Sequence, residues 1–203
     1  TGEEVGGMVC ETRGRRMIEL NGQTFHLHHW GDEKSPVLLM LHGFPEFGGA
    51  WDEVARLLPD YHCIAPDQRG YGRSWAPADV GHYKARQLVG DLVALIEAIG
   101  APVPVVAHDW GAALAYALAI RHPELISALV VINGVHPGPF QRELAKGGAQ
   151  SEASAYIDYL RDPKAEERLA ADDFAGLRRL FAAKMEMGWL EGTKLQQYLT
   201  EWR

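Results

Sequence analysis

Apolar residues change their spacing three times along this chain. Residues 17–30 (MIELNGQTFHLHHW) set two short runs on either side of Asn21-Gly22, a dipeptide suited to the positive-φ turn of a β-hairpin. Residues 36–41 (PVLLML) are continuously apolar, as in a strand covered on both faces. Similar runs occupy 103–107 and 128–132. Between them, Leu88, Leu92, Leu95, Ile96 and Ile99 recur at helical spacing and Gly100 supplies a stop. Residues 111–121, rich in Ala and Leu, run to His122-Pro123 as a second helix. Buried strands alternating with helices predict an α/β fold with a mostly parallel sheet. Past HPGPF no strand pattern recurs, and 140–203 read as helices with charged faces. A boundary is expected near 135–139, with a core over 1–136 and a helical lid over 137–203.

Composition narrows the function classes. With 203 residues, 47% hydrophobic and 23% charged, the chain can bury a core and carry one insertion. The net charge of −7 and the scattered Lys and Arg argue against a nucleic-acid partner. Cys10 and Cys63 make no disulfide framework, so a cytoplasmic setting is expected. The apolar stretch 112–120 falls far short of the ~18 residues that suggest a membrane span. The first residues, TGEEVGGMVCETRGRR, have no apolar signal core. A start at Thr1 and a stop at Arg203 suggest a fragment of a longer protein.

Candidate chemistry sits where the run 103–107 meets the next helix. Ala107 and Gly111 stand two residues before and after Asp109, the small-x-nucleophile-x-small spacing of a nucleophile elbow with Asp in the central place. Small neighbours let the turn tighten and lift the central side chain clear of the sheet edge. The helix start behind it supplies free N–H groups and a positive dipole end. An Asp at a strand–helix junction is also an ordinary helix cap, so the rest of the chain must decide. His42-Gly43-Phe44-Pro45-Glu46 follows the buried run 36–41 directly. There the backbone N–H of Phe44, with that of Trp110, fits an oxyanion hole.

With HGFPE, then APDQRGYGRS at 65–74, then AHDWG, the chain resembles the α/β-hydrolase superfamily and its epoxide hydrolase branch. The resemblance covers residues 36–203. It implies an α/β-hydrolase fold with a helical lid, Asp109 as nucleophile, and no cofactor or metal. The DQRGYGRS stretch reads as a structural turn, since its family counterpart ties down a loop. Two lid tyrosines of the family hydrogen-bond the epoxide oxygen, and the surrounding sequence puts Tyr156 and Tyr198 in those places, with Tyr159 in reserve. Ala153, Tyr156, Ile157 and Leu160 would share one helix face, as would Leu195, Tyr198, Leu199 and Trp202, although core packing is the usual role of such stripes. His26, His28 and His29 have no acidic or Cys neighbour in sequence and read as polar positions of a half-buried strand rather than metal ligands. His42 and His108 flank the site and would hold loops by hydrogen bonds.

A covalent hydrolase also needs a base and an acid to orient it. The fold's order is nucleophile, acid, histidine. After Asp109 the chain holds only His122 and His136, neither at the family's position, and 132–134 (ING) offer no acid. Acid, histidine and last strands are therefore expected beyond Arg203, leaving residues 1–203 inactive alone. The expected reaction is opening of a small apolar epoxide to a vicinal diol through an Asp109 ester. A haloalkane dehalogenase shares that nucleophile, but Phe44 gives no side-chain donor for a halide. A fluoroacetate dehalogenase would carry Arg where Trp110 stands, and Asp109 excludes a serine esterase. A non-catalytic α/β-hydrolase-like binding protein is the alternative of a different class.

Overall fold

The computed structural model describes residues 8–12, 15–183 and 186–203. They fall into two compact units, Thr1–Gly134 and Val135–Arg203. The first is built on a seven-stranded sheet, β1 (Met8–Thr12), β2 (Arg15–Leu20), β3 (Gln23–Trp30), β4 (Val37–Leu41), β5 (His62–Pro66), β6 (Val103–His108) and β7 (Ile126–Ile132). The strand order is β1-β2-β3-β5-β4-β6-β7. Asn21 and Gly22 both take positive φ, 54° and 74°, and pair β2 with β3 in the antiparallel hairpin their sequence predicts. The sheet is more mixed than expected. β1–β2, β2–β3 and β3–β5 are antiparallel, whereas β4–β5, β4–β6 and β6–β7 are parallel.

Alternation along β4 explains its continuous apolar run. Leu38 and Met40 face Trp51, Ala55 at the end of α1 (Asp52–Ala55) and Cys63, while Leu39 and Leu41 face the core under α2 (Ala85–Ile99) and α3 (Asp109–Arg121) on the other side. β7 departs from the expectation of a strand covered twice. Leu129 and Val131 pack toward the first core, but the alternate residues Val130 and Ile132 are 53% and 44% exposed. Among the described residues β7 pairs with β6 alone and forms the sheet edge. β5 is an element the apolar pattern did not predict. It pairs with both β3 and β4 and so joins the antiparallel half to the parallel half.

The second unit is helical: α4 (Pro137–Ala145), α5 (Ala149–Ala153), α6 (Tyr156–Arg161), α7 (Ala165–Ala182) and α8 (Gly192–Glu201). α7 is interrupted where Asp172, Asp173 and Phe174 take positive φ. Leu177, Phe181, Leu190, Tyr198 and Leu199 are buried, and rings of Phe181, Trp189, Tyr198 and Trp202 meet at centroid distances of 5.6–6.4 Å. Among the described residues no helix is long and apolar enough to cross a membrane.

Candidate active site

β6 ends at His108 and α3 begins at Asp109, whose φ of 49° lies in the left-handed region. A non-glycine residue there costs roughly 1–2 kcal/mol, a cost Asp tolerates better than most. The small neighbours have direct steric reasons. A Cβ on Gly111 would meet the carbonyl oxygens of His42 and Leu41 at 2.5 and 2.7 Å, and one on Gly43 would meet Asp109 Cβ at 2.4 Å. Glycine at both places thus lets the end of β4 approach the start of α3. The approach has a polar outcome: the Phe44 N–H donates to Asp109 Oδ1 at 3.0 Å. Trp110 stands in the first turn of α3, where backbone N–H groups have no partner within the helix. Its side chain is 49% exposed.

Around this pair the loops are held by buried polar groups. His42 Nδ1 lies 2.9 Å from Gly43 O, and its Nε2 accepts from Gln68 N–H at 3.1 Å. Burial lowers the His42 pKa, against the raising influence of the Gly43 hydrogen bond. Glu46 Oε2 stands 3.3 Å from His108 Nδ1. That hydrogen bond raises the His108 pKa, partly offset by desolvation, and the Asp109 charge adds to the rise. Tyr71 packs edge-on to His42 at 4.9 Å. Burial, then the negative charge of Asp109, push its phenol well above the ordinary value. Neither Glu46 nor Tyr71 was assigned a role from sequence, although both lie inside the motifs. A charged residue in the mostly apolar HGFPE turn was the available signal for Glu46.

Asp67 corrects the reading of His26 and His28. Both imidazoles are buried rather than half-exposed, and they do have an acidic partner, remote in sequence. His26 Nδ1 and His28 Nε2 lie 2.7 and 2.9 Å from its two carboxylate oxygens. Gly48 N–H and Arg73 N–H also donate to Asp67, at 2.8 and 3.2 Å. Burial alone would raise the Asp67 pKa, but the hydrogen bonds from His26 and His28 outweigh it and hold it well below the usual carboxylate range. These three side chains bring ligand-type atoms within 4.8 Å of one another. Four N–H groups already converge on the carboxylate, which is the arrangement of a structural anchor. Arg69 meets Asp91 through two bonds of 2.8 and 2.6 Å and donates to His82 O at 2.6 Å.

The remaining predicted residues lie in the second unit. Tyr198 is 2% exposed and its stripe with Leu195, Leu199 and Trp202 is largely covered. The stripe through Tyr156 is not formed as expected. α5 ends at Ala153 and α6 starts at Tyr156, so Ala153 is not on the same helix, and Tyr156 is 45% exposed. Tyr159, 46% exposed, carries the Arg168 guanidinium over its ring at 4.6 Å. His122 caps the far end of α3, about 20 Å along the helix from Asp109 at 1.5 Å per residue. His136 caps α4, accepting from Gly138 N–H at 3.2 Å.

An acidic side chain raised on a left-handed strand–helix turn, with a backbone N–H from the neighbouring strand's exit loop on one oxygen, defines a hydrolase-type elbow. Residues 36–174 match the model of the alpha/beta hydrolase fold family, and the chain belongs to that family. It is 32% identical over 201 residues to the AB hydrolase superfamily protein YfhM of Bacillus subtilis, covering 97% of this chain and 68% of the relative. It is 34% identical to epoxide hydrolase 4 of Mus musculus, covering 88% of this chain and 49% of the relative. With epoxide hydrolase 1 of Caenorhabditis elegans it shares 35% identity over 87% of this chain and 44% of the relative. The chain therefore spans about half the length of these two epoxide hydrolases. Among solved structures, an M145A mutant of an epoxide hydrolase from Bacillus megaterium superposes with a TM-score of 0.85 at 33% identity, covering 92% of this chain and 66% of the other.

Proposed function

We propose that this chain carries the nucleophile of an epoxide hydrolase acting on small apolar epoxides. The free carboxylate oxygen of Asp109 attacks a ring carbon, the C–O bond of the ring breaks, and an alkyl ester forms on Asp109. Tyr156 and Tyr198, on a lid formed by 137–203, donate to the leaving oxygen, which stays on the substrate as an alkoxide and takes a proton. Asp109 Oδ1 becomes the ester carbonyl oxygen. Water activated by a histidine outside this chain attacks the ester carbon, and the N–H groups of Phe44 and Trp110 hold the oxyanion. The tetrahedral intermediate then collapses: the bond from the Asp109 carboxyl carbon to the substrate oxygen breaks, that oxygen takes the proton the histidine removed from water, the acid proton of Asp109 returns to the tyrosine, and the diol leaves.

The observation that carries this reading is the 3.0 Å bond from Phe44 N–H to Asp109 Oδ1. It marks one oxygen as the future carbonyl and leaves the other to attack. The likeness to epoxide hydrolases of mouse, nematode and Bacillus supports the choice of substrate. A haloalkane dehalogenase would use the same carboxylate, with the half-exposed Trp110 indole facing the halide. Incubation with an aryl epoxide, acid quench and peptide mass spectrometry tests the reading. An adduct of the epoxide's mass is expected on the peptide containing Asp109, and none in Asp109→Ala. Halide release and an adduct from a haloalkane, with none from the epoxide, would select the dehalogenase. No adduct from either would select a non-catalytic binding protein.

A further inference from the structure

We infer that His42 is a positioning residue that fixes and polarises the Gly43–Phe44 peptide, the group that holds the Asp109 ester carbonyl. The inference rests on the ester chemistry proposed above. The partners of the ring assign its tautomer. Gln68 N–H can only donate, so Nε2, 3.1 Å away, must present a lone pair. The proton then sits on Nδ1, where Gly43 O accepts it at 2.9 Å. Gly43 O accepts a second bond from Glu46 N–H at 3.0 Å. The same peptide unit donates through Phe44 N–H to Asp109 Oδ1. Two donors on a carbonyl draw electron density from the amide nitrogen, and hydrogen bonds in series strengthen one another. The Phe44 N–H is thereby a stronger donor, and it is also held in place.

The ring has little freedom to do otherwise. It is buried, and the Gln68 side chain donates to His42 O at 2.6 Å. Tyr71 closes one side edge-on. Burial favours the neutral ring, which is the form able to donate at one nitrogen and accept at the other. The influence of His42 falls on one oxygen, Asp109 Oδ1. It should therefore show in the ester carbonyl and its hydrolysis more than in the attack by the other oxygen.

Nitrogen-15 NMR of the free chain provides the first test. The expected result is a single tautomer with pyrrole-like Nδ1 and pyridine-like Nε2 at His42, and a downfield Phe44 amide proton. His42→Asn keeps a donor near the Nδ1 position and should keep the Phe44 resonance. His42→Leu should move it upfield. A proton on Nε2 in the wild type, or a Phe44 resonance indifferent to both variants, overturns the inference without any reactive ligand. The second test is difference infrared spectroscopy of the ester formed with an aryl epoxide. His42→Leu should raise the ester carbonyl frequency and, in the complete enzyme that carries the histidine base, slow ester hydrolysis by less than the ~10²–10³-fold loss on removing an oxyanion donor outright. His42→Asn should restore much of both, and the rate of alkylation should change little. An ester whose frequency ignores His42→Leu refutes the positioning role. Absence of any ester in the wild type refutes the proposed function, and the NMR result still decides what His42 does to the peptide.

Discussion

Adding one methyl group at Gly111 should damage the site, while the same change at Gly90 should strengthen the fold. Both are helical glycines, and Ala is the better helix former by about 0.5–1 kcal/mol. At Gly90, in α2, a Cβ would have nothing within 4 Å. Gly90→Ala should therefore realise most of that gain. At Gly111 the new Cβ would lie 2.5 Å from His42 O and 2.7 Å from Leu41 O. Reaching even 3.0 Å from the nearer oxygen means opening the gap by 3.0 minus 2.5, about 0.5 Å. Neither obstacle is a side chain that can rotate away. Leu41 is paired with Ala107 across β4 and β6, and His42 O accepts the 2.6 Å bond from Gln68. α3 must therefore move, and Asp109 moves with it, stretching its bond to Phe44 N–H. Overpacking of this kind costs about 1–3 kcal/mol, against the propensity gain. Urea denaturation of the two variants should shift the midpoint in opposite directions. The Phe44 amide proton should move upfield in Gly111→Ala only. A Gly111→Ala variant as stable as Gly90→Ala, with the Phe44 resonance unchanged, would refute the close-approach argument.

Replacing Tyr156 or Tyr198 by Phe should slow alkylation of Asp109 by an aryl epoxide ~10²–10⁴-fold, the range of acid–base assistance, as read by rapid-quench kinetics; unchanged rates in both variants and their double would reject the phenols as donors. Asp91→Asn should cost about 3–5 kcal/mol in denaturant titration, because it leaves the buried Arg69 charge without its carboxylate. Pairing it with Arg69→Met should recover much of the loss, and if the double variant is no better than the single, the charge is not the cause. The raised His108 pKa, owed first to Glu46, implies stability that is fully present below the ordinary imidazole value of 6.5 and is lost as pH rises through the folded value. Glu46→Gln should lower the titration midpoint of His108 by NMR, and an unmoved midpoint would dismiss the pair.

What the sequence made legible was local. The elbow is a steric requirement written within two residues of Asp109, and Asn21-Gly22 fixes its turn within two residues as well. The helical periodicities of α2 and α3 likewise need only their own segments. β5 was not legible because its five residues, HCIAP, open on a histidine and close on a proline, leaving three consecutive apolar residues where the equally short β4 offers five. The helix expected through Ala153 and Tyr156 is interrupted at Ser154, which is buried and closes α5 with φ −95° and ψ 0°. Apolar spacing carries no trace of that interruption. β7 reads like β4 in sequence, yet only one of its sides has a paired strand among the described residues.

The polar architecture was illegible for a different reason: its partners are 19 to 65 residues apart. Alternation along β3 says that His26 and His28 share a face, and nothing about what lies across from it. Only the fold brings Asp67 there. Once it does, the three motifs become one connected device. Asp67 accepts from Gly48 N–H just beyond the HGFPE turn, and its neighbour Gln68 grips His42 at both the ring and the carbonyl oxygen. His42 in turn holds the peptide that reaches Asp109. A turn with no hydrogen bond of its own to Asp109 therefore sets where the Phe44 N–H stands. On this reasoning DQRGYGRS gives the carboxylate at Asp109 a rigid partner, because a loop leaving a sheet edge is not rigid until something buried anchors it.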